Sequence, residues 1–265
     1  AGLLTAGSVS ALYYADRLNQ LPLGMIGIGL GTVLLPTVSR LLNSGHDDEA
    51  METQNRGLEL ALFLTLPATA AFIFASEPIV RGVFQHGAFT ATDTVRVSWA
   101  LSAFSLGLPS YVLVKILTPG FYARGDTRTP VRFAIISIGV NLLGNLLLIP
   151  TIGTMGPPLA TALSSSVNVA MLYRTLSERG HFTADQRLRR RIPRLLLAAL
   201  MMGGALYFLA PIADPYLTRA LAVRIAALAI LCGGGALVYF AACIATRAFS
   251  PGDIRLLLRR RGAGS

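Results

Sequence analysis

From Leu21 to Ala245 the chain is a succession of apolar runs, each about as long as a lipid bilayer is thick. The runs are Leu21–Leu42, Leu58–Ala75, Val95–Leu117, Phe133–Ile149, Pro158–Tyr173, Leu195–Ala213 and Leu221–Ala245, preceded by a partial one at 1–15. A helix needs about 20 apolar residues to cross roughly 30 Å of hydrocarbon. Inside that layer every backbone N–H and C=O must be satisfied within the protein, which leaves helices or a closed barrel. The runs are continuous, whereas barrel strands alternate over about ten residues, so a barrel is excluded. The expectation is an all-α, polytopic membrane protein with seven complete spans and one partial span. Composition agrees: 53% of residues are hydrophobic and 14% charged, against about 25% charged in soluble proteins. The stretch 1–15 starts at Ala1 and has no basic n-region. It reads as the end of a helix that begins upstream, and the chain as a portion of a longer protein.

A net charge of +10 would suit a nucleic-acid binder if the cations were clustered on one surface. They are not. The connections at 40–56, 118–132, 174–194 and 247–261 carry 2, 3, 7 and 5 arginines, while only Arg81, Arg96, Arg219 and Arg224 lie in or beside the alternate ones. Every second connection is rich, which is the positive-inside pattern. The rich connections and the C-terminus are therefore placed in the cytoplasm, with the partial helix running from inside to outside. The run Arg187–Arg194 reads as a topogenic loop facing anionic lipid.

Enzyme chemistry finds no foothold. His46, His86 and His181 are scattered over connections with no ligand partner at metal spacing. No serine sits in a G-x-S-x-G turn. Cys232 and Cys243 lie eleven residues apart in one apolar run and fit helix packing better than a disulfide or a metal site. Gly24, Gly27, Gly29 and Gly31 look superficially like a dinucleotide loop, but they sit inside a span. Gly27 and Gly31 are better read as a close-packing pair, with a bendable helix as the alternative.

Polar side chains in or near the membrane remain, and each is costly enough to be a candidate for function. The sharpest group is Tyr13-Tyr14-Ala15-Asp16-Arg17-Leu18-Asn19-Gln20. Interfacial tyrosines with an Arg17–Asp16 pair would explain it, yet an arginine at an outer boundary runs against the charge bias. Its planar fork also suits phosphate. Lys115, the one lysine, lies near the inner end of its span. Asn141 and Asn145 are one turn apart. With Thr161 they suit interhelical hydrogen bonds or, less commonly, a sodium-like cation. Glu59 and Glu77 read as ordinary interfacial carboxylates.

Two stretches carry a family resemblance. One is Gly7-Ser8-Val9-Ser10-Ala11-Leu12-Tyr13-Tyr14-Ala15-Asp16-Arg17-Leu18, continued by Leu21-Pro22-Leu23-Gly24 and Gly31-Thr32-Val33-Leu34-Leu35-Pro36. The other runs Pro119-Gly120-Phe121-Tyr122-Ala123-Arg124-Gly125-Asp126-Thr127-Arg128-Thr129-Pro130-Val131. Together they resemble the MurJ/MviN lipid II flippases of the MOP superfamily. The resemblance implies a fourteen-helix transporter of two six-helix lobes plus two extra helices. This chain would supply the end of helix seven through helix twelve (1–182) and the two extra helices with a basic tail (183–265). It implies a substrate, lipid II, moved from the inner to the outer leaflet of a bacterial cytoplasmic membrane by alternating access. Cavity positions of that family match Arg17, Asp16, Ser10 and Lys115. Gln20 stands where some members have an acidic residue. The last two spans match helices that form a groove for the lipid tail.

On this expectation the protein is a transporter, not an enzyme. It has no cofactor beyond a monovalent cation (a sodium or proton gradient), and its partners are lipid II, membrane lipids and its own N-terminal lobe. A polysaccharide-lipid or multidrug exporter of the same superfamily is the alternative.

Overall fold

Long apolar sequences form helices here because a helix bonds its own backbone. In a computed structural model that describes residues 7–248, the elements are helices joined by short turns. In chain order they are α1 (Ser8–Pro22), a π-helical turn (Leu23–Ile28), α2 (Gly29–Asn43), α3 (Asp47–Phe74), α4 (Ser76–Phe84), α5 (Ala91–Ser105) and α6 (Leu108–Tyr122). There follow α7 (Arg128–Ile152), a 3₁₀ turn (Gly153–Met155), α8 (Gly156–Glu178), α9 (Gln186–Leu217) and α10 (Leu221–Ala245). Residues 249–265 carry four of the five tail arginines. They lie outside the described residues, as do 1–6.

The largest departure from the sequence reading is at the start. The partial segment 1–15 and the span Leu21–Leu42 are not two crossings. From Ser8 to Asn43 the helix is continuous over 36 residues, about 54 Å. The polar octet Tyr13–Gln20 lowers hydropathy, but it contains no glycine or proline to turn the chain, so it lies along a helix. Pro22 removes one intrahelical donor, and the wider π turn that follows absorbs the irregularity. If the 40–56 connection with its two arginines is kept inside, as the charge pattern has it, this helix runs from outside to inside, the reverse of the expected direction. The parity of every later connection is unchanged.

Three further differences follow from local chemistry. Val95–Leu117 is broken into α5 and α6 at Gly107, where a side chain would collide with Tyr111 and with the Ala162 backbone. The run Arg187–Arg194 is not a loop but the first two turns of α9, whose entry is capped by Asp185 accepting from the Leu188 N–H. A short helix, α4, occupies what read as a connection. Pro158–Tyr173, the most polar candidate, is fully helical within α8.

Among the described residues six helical runs are long and apolar enough to cross a membrane. One of them, 128–178, folds back at Gly153 (φ 56°) into the α7–α8 hairpin, which gives seven crossings. Two cores hold the bundle. One joins Ala15 and Leu18 of α1 to Leu66, Leu101, Leu195 and Tyr239. The other gathers Leu34, Ile116, Phe121, Leu172, Phe182 and Leu188. The Tyr239 hydroxyl donates to the Phe63 carbonyl at 2.8 Å and fastens α10 to α3. By contrast α7 packs on α8 and leaves Ile135, Ile138, Leu142 and Leu146 exposed, as a lipid-facing helix should.

Candidate functional site

Residues 100° apart on a helix place Ser10, Tyr14 and Arg17 (i, i+4, i+7) on one side of α1. Ala11, Ala15, Leu18 and Asn19 turn inward and are buried, whereas Ser10, Tyr13, Tyr14, Arg17 and Gln20 are exposed. The sequence thus folds the octet so that its small and apolar members make the core. Its hydroxyls and its guanidinium line an open face.

On that face the Arg17–Asp16 pair, one of the two accounts of the octet, does not form. Arg17 Nη2 donates to the Tyr13 hydroxyl, and the guanidinium carbon lies 4.8 Å from the Tyr13 ring centre. Asp16 instead accepts from Gln20 Nε2 one turn further on. Among the described residues no carboxylate forms an ion pair with Arg17. The helix axis carries Arg17 about 14 Å beyond Ser8. Held by a neutral phenol, the guanidinium keeps most of its five donors for an anion.

Lys115 is not beside Arg17. It is half-buried on α6, its stem lying against α2 and the π turn, where a Cβ on Gly27 would stand 2.9 Å from Lys115 Cδ. The close-packing reading of Gly27 and Gly31 is thereby given a partner: the missing side chains make room for a lysine. The π turn at this place also fits the bendable-helix alternative, since such turns relax the helical ladder. Ser10, Arg17 and Lys115 accordingly form a series along the crossing, not one cluster.

The structure does bring Asn141, Asn145 and Thr161 together. Asn141 Nδ2 donates to Thr161 Oγ1 at 3.1 Å, and Asn145 Nδ2 donates to Asn141 Oδ1 at 3.0 Å. Thr161 in turn donates to the Pro157 carbonyl. These bonds join α7 to α8 and occupy the oxygen that Asn141 would offer a cation. Interhelical bonds of this kind contribute about 0.6 kcal/mol on average. We therefore expect the full-length protein and its Asn145→Ala variant to melt at temperatures that do not depend on replacing potassium by sodium. A sodium-dependent rise in the parent, lost in the variant, would make the trio a cation site.

Sequence reasoning missed the inner end of α3. Glu59, 4% exposed at its side chain, meets Arg56, Arg187 and Arg191, while Arg56 also pairs with Asp185. Asn55 adds a bond to the Thr183 carbonyl at 3.0 Å. The arginines are 128 and 132 positions away, and no periodicity in one sequence links them. The second resemblance motif is structural: Asp126 accepts from the Thr129 hydroxyl, from Arg179 and from the Thr129 N–H. Those three bonds, in that order, hold its carboxyl well below the usual carboxylate range. Where α9 turns into α10 an apolar groove of about 280 Å³ is lined by Leu209, Ile212, Tyr216, Val223 and Ile230. No group of His, Cys, Asp or Glu able to hold a metal occurs among the described residues.

With this geometry in hand, similarity to known proteins is specific. The family model described as "Lipid II flippase MurJ" matches residues 1–227. A protein of Rhizobium meliloti named "Probable lipid II flippase MurJ" is 44% identical over 98% of this chain and 49% of its own length. A Vibrio cholerae protein of the same name is 36% identical over 91% of this chain and 46% of its own. Among solved structures, "Lipid II flippase MurJ, inward closed conformation" superposes with a TM-score of 0.72 at 29% identity, covering 92% of this chain and 48% of that one. The chain thus spans about half the length of the curated relatives it matches.

Proposed function

Because the chain belongs to the lipid II flippase MurJ family, we propose that the full-length protein carries lipid II from the inner to the outer leaflet of a bacterial cytoplasmic membrane. The observation that supports this most directly is Arg17: a guanidinium on an open face of a crossing helix, held by Tyr13 and with no paired carboxylate among the described residues. A diphosphate cannot cross hydrocarbon bare, and cationic donors in a polar cavity supply what water supplies outside. Ser10, Gln20 and Asp16 on the same stretch, and Lys115 deeper in, complete the substrate-binding set. The polyprenyl tail is assigned to the apolar groove between α9 and α10.

In this reading residues 1–182 form the second lobe and 183–265 the two extra helices with a basic tail. A first lobe, supplied by the rest of the protein, closes the cavity, and the lobes rock to alternate access. The two states need differ by only a few kcal/mol for a monovalent cation gradient to bias them. No bond of the substrate is made or broken, so the protein acts as a transporter and not as an enzyme. The relatives all carry the flippase name, and nothing favours a polysaccharide-lipid or multidrug exporter.

The decisive test is rescue of cells depleted of their own flippase by the full-length protein, with lipid II counted on the outer leaflet. Orientation has its own check, resting on the arginine-rich connections. Cysteines placed at Gly180 and Ala263 should resist an impermeant thiol reagent in intact cells, and one at Thr154 should react. Labelling at Gly180 but not at Thr154 would reverse the topology.

A further inference from the structure

Four arginines lie on the outer side, against the charge bias, and three are accounted for or placed elsewhere. Arg81 is neutralised by Glu77 and Asp214. Arg219 stacks on Tyr216 with its guanidinium carbon 5.1 Å from the ring centre. Arg224 belongs to the first turn of α10. Arg96 is different. It is exposed on α5 and has no ion pair among the described residues, and its Nη1 comes within 3.3 Å of where a Cβ on Gly7 would be.

Gly7 and Ser10 open a cavity of about 520 Å³ at the outer end of α1, with Tyr14, Phe89, His86 and Asp93 among its walls. Tyr14, Phe84 and Phe89 pack as an aromatic trio with ring centres 5.0, 5.5 and 5.9 Å apart. The carboxylate of Asp93 caps α5, accepting from the Thr90 N–H at 2.9 Å and from its hydroxyl at 2.7 Å. It therefore keeps acceptor capacity for a hydroxyl while part of its charge is already used. Ser10 and Tyr14 share the Arg17 side of α1, so the cavity continues that face outward. The ten residues from Arg17 to Gly7 place Arg96 about 15 Å further along the crossing.

We propose that this outer mouth is a second anion station, which takes the glycosyl-pyrophosphate end of the substrate after it leaves Arg17. Arg96 holds a phosphate oxygen, and the aromatic trio with Ser10, His86 and Asp93 takes the adjoining sugar. The inference rests on the transport reading above for the identity of the substrate. Its physical basis is the handover itself: an anion bound at one deep cation leaves more readily when a second site lies within reach near the exit. The outer headgroup level is also where the diphosphate must end. Aromatic faces flanked by hydrogen-bonding side chains suit a sugar ring, which is apolar on its faces and polar at its rim.

The test uses the full-length protein with every native cysteine, Cys232 and Cys243 included, replaced by serine and a single cysteine at Ala88, an exposed residue of the cavity wall. The probe is UDP-N-acetylglucosamine, a soluble sugar pyrophosphate, added from the outer side during labelling by an impermeant thiol reagent. The probe should slow labelling at position 88 at least threefold, and free N-acetylglucosamine should not. Arg96→Ala should abolish the protection, and Arg96→Lys should restore part of it. Equal labelling with and without the probe, or protection that survives Arg96→Ala, would overturn the station. Rescue of flippase-depleted cells is scored on the same proteins, so that the two readings fail separately. Protection without rescue by the parent overturns the transport reading alone. Rescue by the parent without protection overturns the station alone.

Discussion

Replacing Arg17 by alanine should abolish transport by the full-length protein while leaving its insertion and abundance unchanged. On insertion scales an arginine near mid-membrane costs roughly 2.5–3.5 kcal/mol, so removing one cannot harm the helix that carries it. Nor does Arg17 support the fold: it is exposed, and its hydrogen bond is to Tyr13 on the same helix. What disappears is a planar fork able to bind a diphosphate through two parallel bonds. Arg17→Lys keeps the charge but not the fork, and should retain partial activity at most. The measurement is rescue of flippase-depleted cells with protein levels checked by blot. Full rescue by Arg17→Ala at normal abundance would remove the phosphate role and leave a snorkelling side chain. Tyr13→Phe provides a graded companion: the ring contact stays and the hydroxyl goes, so activity should fall without vanishing.

The helices were legible because hydrocarbon imposes one solution on a long apolar run. Leu221–Ala245 has the same bounds in sequence and structure. The misreading at Tyr13–Gln20 has a physical cause. Hydropathy averages over all sides of a helix, and here the polar residues other than Asn19 sit on one side while Ala11, Ala15 and Leu18 keep the other side buried. Read by face instead of by average, the octet would have been a helix from the start. Arg17 and Lys115 could be singled out from type and place, since polar atoms in a membrane have few uses, whereas Ser10 came only through the family resemblance. Their partners could not. Nothing local indicates that Asp16 turns to Gln20 or that Lys115 rests on Gly27 across a helix–helix contact. Arg96 was visible as an arginine on the wrong side, but the cavity beside it is built from three separated segments.

Glu59 belongs wholly to that second class, and the effect expected on removing it is large. Its carboxylate is the counter-charge on which Arg56, Arg187 and Arg191 converge, at side-chain exposures of 29%, 43% and 11%. Through them it joins the inner end of α3 to the first turns of α9, and so seats the α9–α10 hairpin with its groove on the rest of the bundle. Glu59→Ala removes the carboxylate on which three guanidinium groups converge, and leaves Arg56 its pair with Asp185. Breaking a buried pair from one side costs about 3–5 kcal/mol. Two of these arginines are partly open to solvent, which screens the repulsion, so we expect about 2–4 kcal/mol. That should appear as a fall of about 2–4 °C in the melting temperature of the purified full-length protein. Glu77→Ala is the matched control: its carboxylate is 48% exposed and Arg81 keeps Asp214, so the cost should stay within about 1 kcal/mol. If the cost comes from repulsion among the clustered cations, removing one should relieve it. Glu59→Ala with Arg191→Ala should then be more stable than Glu59→Ala alone, a coupling a double-mutant cycle measures directly. Equal melting of Glu59→Ala and the Glu77→Ala control would show instead that packing, led by Tyr239 against Phe63, holds the hairpin without the ion cluster.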